Sequence, residues 1–73
     1  MKITQQDLDQ IKTEAKEYIK EYPTFRYGQA FFNILEDKFK QIADQLRMLA
    51  YDPYYHSERV DECCDYILRM YGD

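Results

Sequence analysis

The sequence predicts an all-α fold: a single domain over residues 1–73, arranged as a compact bundle of three or four helices. Apolar residues recur at spacings of three and four along most of the chain, the period of a helix with one buried face. No segment alternates with the period of two that marks a strand, and there is no internal repeat or low-complexity linker. Pro23 and Pro53 divide the pattern into three blocks. A chain of 73 residues removes only a modest fraction of its surface from water, so its stability is marginal.

The first block carries its own start signal. Thr4 is placed to cap a helix from about residue 4 to residue 21, with Asp7 in the capping-box position and Ile3 and Leu8 where a hydrophobic staple would put them. Leu8, Ile11, Ala15, Tyr18 and Tyr22 form the apolar stripe, which Ile19 widens. Pro23 ends the helix by excluding the preceding residue from helical geometry. Lys12, Lys16 and Lys20 make a row on this helix. Glu14, Glu17 and Glu21 flank it, which predicts a salted, solvent-facing surface.

In the second block Thr24 is a candidate cap, and Tyr27, Phe31, Ile34, Leu35, Phe39, Ile42, Leu46 and Leu49 carry a helical stripe to residue 49. One long helix fits that pattern. A domain this small favours two shorter ones, with a kink expected near Glu36-Asp37-Lys38. In the third block Asp52-Pro53 forces a turn, Ser57 is the expected cap, and the last helix runs to Gly72. Val60, Cys64, Ile67 and Tyr71 form its buried line, with Cys63, Leu68 and Met70 beside them. Glu58, Asp61, Glu62 and Asp65 fall on the opposite side, where Arg69, four residues after Asp65, softens the stripe.

Charge is distributed unevenly. Residues 1–51 hold eight acidic and eight basic side chains, whereas residues 52–73 hold six acidic residues against Arg59 and Arg69, so the net charge of −4 lies in the last third. Five of the eight tyrosines, Tyr51, Tyr54, Tyr55, Tyr66 and Tyr71, are there too. An acidic helix face beside amphipathic rings suits a protein interface, with Glu58, Asp61, Glu62 and Asp65 for electrostatic steering and Tyr54, Tyr55 and Tyr66 as anchors. The plain alternative is a solvated face in an acidic protein. Acidic composition with scattered Lys and Arg argues against direct nucleic-acid binding. No apolar run approaches the roughly 20 residues that span a bilayer, and the chain starts polar without a secretory signal, so no membrane association is expected.

The residues that chemistry would need are sparse. His56 is the only histidine, no Ser or Cys sits in a recognisable nucleophile setting, and with Gly28 and Gly72 alone there is no glycine-rich phosphate loop. Asp52, His56 and Glu58 are the residues a metal ion would use, but one histidine beside a turn is more often a surface residue. The expectation is no enzyme, no cofactor and no metal. Cys63 and Cys64 are adjacent on a helix, where their side chains diverge by about 100°, and are expected as small buried thiols.

Arg26, Gln29 and Asn33 share another face, with Gly28 and Ala30 keeping the neighbourhood thin. A glycine early in a helix costs up to about 1 kcal/mol relative to alanine, which implies a close approach to the backbone. The turn at Asp52-Pro53-Tyr54-Tyr55 folding back there, with Asp52 meeting Arg26, is the internal explanation; a ligand pocket is the functional one. The pattern Arg26-Tyr27-Gly28-Gln29-Ala30, then Asn33 and Leu35, then Asp52-Pro53-Tyr54-Tyr55, resembles an uncharacterised group of small proteins common in bacteriophages and other mobile elements. Their cores read Arg-x-Gly-Gln-x-x-x-Asn-x-Leu followed by Asp-Pro-Phe-Tyr, so Tyr54 stands where phenylalanine is usual. The resemblance covers residues 23 to about 70. It implies a phage-like origin and no chemistry.

The leading expectation is therefore a non-enzymatic binding protein of phage-like origin, acting in the bacterial cytoplasm on a host or defence protein, with an anti-CRISPR or related anti-defence role as its sharpest form. Two alternatives stand beside it: a self-associating structural or regulatory homodimer closed by exposed aromatics, and a small-ligand or nucleotide binder using Arg26, Gln29, Asn33 and the tyrosines.

Overall fold

A computed structural model describes residues 2–49, 53–54 and 56–72. Helix α1 (Gln5–Glu21) opens with a complete capping box. The Asp7 N–H donates to Thr4 Oγ1 at 3.1 Å and the Thr4 N–H donates to Asp7 Oδ2 at 3.0 Å, so two otherwise unpaired amides are satisfied reciprocally. Leu8, Ile11 and Ala15 are buried, but the stripe thins beyond them: Tyr18 and Tyr22 are 36% and 48% exposed.

Helix α2 (Tyr27–Lys38) starts later than a cap at Thr24 would place it. Its N-cap position is Arg26, which offers no side-chain acceptor. The Gly28 N–H instead donates to Ser57 Oγ at 2.9 Å, across 29 residues of sequence. Ser57, expected to cap the last helix, thus satisfies the start of α2 from a distance. The last helix, α4 (Val60–Tyr71), is entered through a 3-10 turn at Ser57–Arg59, and neither has a side-chain cap of its own.

The long apolar pattern of the second block breaks at Phe39 (φ −137°, ψ 64°), next to the expected kink, and α3 (Lys40–Met48) follows as a separate helix. Along one straight helix Arg47 would lie about 22 Å from Phe32. Here its guanidinium carbon stands 4.9 Å from the centre of the Phe32 ring, and it also pairs with Glu36, so α3 folds back along α2. The break allows Ile42, Ala43 and Leu46 to join the same core as Phe31 and Leu35. Leu49, assigned to the stripe from its spacing, is 48% exposed beyond the end of α3.

Contacts between the helices define their relative directions. Glu14 pairs with Lys38 and Tyr18 lies beside Ile34, so α1 and α2 form an antiparallel hairpin. Lys12 reaches Asp61, and the Ile3 N–H donates to the Tyr71 carbonyl at 3.2 Å, so α4 runs antiparallel to α1 and its exit is tied to the entry of the chain. Helix α2 is the central element. Three consecutive residues, Ala30, Phe31 and Phe32, are buried at about 100° intervals, which covers more than half of its circumference. Val60, Cys63, Cys64 and Ile67 complete the core from α4, while Met70, expected beside that line, is exposed. Among the described residues no polar or charged side chain is buried, and no helix is long and apolar enough to cross a membrane.

Candidate functional site

Gly28, Gln29, Pro53 and Tyr54 pack against one another. An added methyl group on Gly28 would lie 2.1 Å from the Pro53 carbonyl oxygen, so the turn packs directly on the α2 backbone at the one position without a side chain. Gln29 Nε2 donates to the Tyr54 hydroxyl at 2.9 Å, and the half-buried Tyr54 ring stands edge-on to Phe32 at 6.4 Å. Tyr54 is therefore packed on the core and is not an exposed anchor. Asn33 is exposed and lines the groove between α1 and α2. Arg26 is exposed at the start of α2; its expected partner Asp52, like the proposed anchor Tyr55, lies outside the described residues. The arrangement of Gly28, Gln29, Pro53, Tyr54 and Ser57 is an internal latch.

Helix α4 has the two faces that its spacing requires, with Val60, Cys63, Cys64 and Ile67 inside and Asp61, Glu62 and Asp65 outside. Burial pushes the Cys64 thiol up to about 11, so it is protonated at neutral pH and is a poor nucleophile. Tyr66 is half-buried against the core. The acidic side is interrupted at its centre: Lys12 Nζ lies 2.9 Å from Asp61 Oδ1. That hydrogen bond holds the Asp61 carboxyl below its ordinary value and raises the Lys12 ammonium, and Lys16 adds to the effect on Asp61. Glu58 is held low chiefly by its own backbone N–H, with His56 Nδ1 3.3 Å from its carboxylate. Glu62 and Asp65 are exposed and pair with no described cation.

The Lys12 contact exposes an asymmetry in α1. On a helical projection Lys12, Lys16 and Lys20 occupy one flank of the buried stripe, and Glu14, Glu17 and Glu21 the other. Lysine charge from the first flank is drawn toward the α4 acids. The glutamates rim a groove between α1 and α2, where Lys38 of α2 pairs with Glu14. This groove has a volume of about 260 Å³ and is lined by Glu14, Tyr18, Asn33, Ile34, Asp37 and Lys38. It continues along α1 into a second depression of about 320 Å³, bordered by Glu17 and Glu21. At its end Tyr18 packs against Tyr22 and Phe25, with ring centres 4.8 and 5.1 Å away. Sequence reasoning missed this surface, although the angular separation of the two charge rows was a usable signal.

Comparison of the chain with protein-family models, with curated proteins and with solved structures finds no match.

Proposed function

We propose that this chain is a non-enzymatic protein-binding module of phage-like origin that acts in the bacterial host by occupying a basic surface on a host protein. A defence nuclease, whose nucleic-acid channel is necessarily basic, is the sharpest form of that partner, and an anti-CRISPR or related anti-defence role follows from it. The observation that carries the reading is the pair of carboxylates Glu62 and Asp65, exposed side by side on α4 without a described cationic partner and close to Glu58. Such groups speed encounter with a positive patch more than they add to final affinity. The resemblance over residues 23 to about 70 supplies the phage-like origin.

Asp61 is unsuitable for testing this surface, because reversing it would also break the link from α4 to α1. The informative variant is E62K/D65K. Its capture of a bacterial partner should weaken by about tenfold or more, mainly through slower association, with helicity unchanged by circular dichroism. Undiminished capture would refute the α4 surface.

A second reading, self-association, draws on Met48, Leu49 and Met70, which are 81%, 48% and 57% exposed. Sedimentation across a dilution series tests it, and a monomer throughout would eliminate it.

A further inference from the structure

We propose that the groove between α1 and α2 is a second docking surface, distinct from the outer face of α4, and that it takes a Lys- or Arg-bearing segment of a protein partner which inserts one apolar side chain beside Tyr18 and Ile34. The groove and its continuation, about 260 and 320 Å³, lie along α1 and are open to solvent, which suits a segment of chain lying across them. Charge decides the kind of segment. Glu14, Glu17, Glu21 and Asp37 border the groove and its continuation, and Lys38 is the single cation among the lining residues. Lys38 is already engaged by Glu14, which leaves three carboxylates for an incoming cation.

The aromatic end of the groove supplies the apolar contact. Tyr18 lines the groove, and Tyr22, 48% exposed, lies beside it with its ring tilted against Tyr18 at 4.8 Å between centres. Partly exposed tyrosines with a polar tip and an apolar ring are well suited to anchor an interface. The same carboxylates would repel nucleic acid and anionic lipid. They also disfavour a second copy, because a two-fold contact through this groove would set Glu17 and Glu21 against their own counterparts in a chain of net charge −4.

The test uses the whole chain and a short synthetic amphipathic peptide of Lys and Leu, with one control in which Glu replaces Lys and another in which Ser replaces Leu. Two double variants, E17K/E21K and D9K/D44K, each bring the net charge from −4 to 0, so they separate location from total charge. The Lys/Leu peptide should bind and shift amide resonances in residues 14–25 and 30–38, and neither control peptide should match it. E17K/E21K should weaken binding by about tenfold and D9K/D44K by less than about twofold. Tyr22→Ser should weaken it severalfold, with helicity unchanged and only a small drop in melting temperature.

Absent binding, equal losses in the two double variants, or equal affinity for the Ser-containing peptide would each overturn the proposal. Shifts confined to α4 would overturn it while favouring the acidic-face reading. A wild-type dimer dissociated by Tyr22→Ser would assign the groove to a second copy instead.

Discussion

A methyl group placed on Gly28 would meet the Pro53 carbonyl oxygen at 2.1 Å and the Ser57 Cα at 3.0 Å. Helix propensity alone favours alanine over glycine by up to about 1 kcal/mol, so the local and tertiary effects oppose one another at this residue. Both neighbours are backbone atoms, which cannot swing aside as a side chain would. Gly28→Ala is therefore expected to destabilise the protein by about 1–3 kcal/mol, read as a lower urea midpoint with an unchanged slope. A stabilised variant would show that the turn does not press on α2. Ser57→Ala removes the only side-chain acceptor at the start of α2 among the described residues and should cost about 1 kcal/mol in the same assay. The need for a close neighbour at Gly28 was legible in the sequence. The service of Ser57 to a helix 29 residues away was not, because its local spacing fits a cap on α4 equally well.

Among the elements, α1 and α4 are joined by a pair that responds to pH. Lys12 holds Asp61 below the ordinary aspartate value of 3.8, and Asp61 holds Lys12 above the ordinary lysine value of 10.5. A carboxyl depressed in the folded state stabilises the fold above its unfolded value, and that stability is lost as pH falls through the folded value. For Lys12 the direction reverses: its contribution is full below 10.5 and disappears as pH rises through the raised folded value. Asp61→Asn should therefore lower the melting temperature slightly at neutral pH and progressively less on acidification below 3.8. A difference that persists at lower pH would mean that the effect is not electrostatic. The break between α2 and α3 was nearly legible at this scale, from size alone. The break at Phe39 lets α3 return so that Arg47 reaches Phe32, a contact that a linear stripe does not encode.

For the molecule as a whole, closure depends on the two ends of the described chain. Ile3 is fully buried, and its backbone is bridged to the end of α4. Ile3→Ala is expected to cost about 2–5 kcal/mol, a large share of the stability of a domain this small. Helical and tyrosine circular-dichroism signals should then be lost together at a lower urea concentration. A cost well under about 1 kcal/mol would mean that Ile3 is a frayed end and not part of the core. By itself the sequence determined the helical class, the capping of α1, the amphipathic form of α4 and the approach of a turn to Gly28, because these follow from period, cap chemistry and the absence of a side chain. Only the tertiary structure decided which charges are neutralised and which remain. Compensation depends on distances between helices, and packing carries the α1 lysines toward Asp61 while leaving Glu17, Glu21 and Asp37 around an aromatic-ended groove.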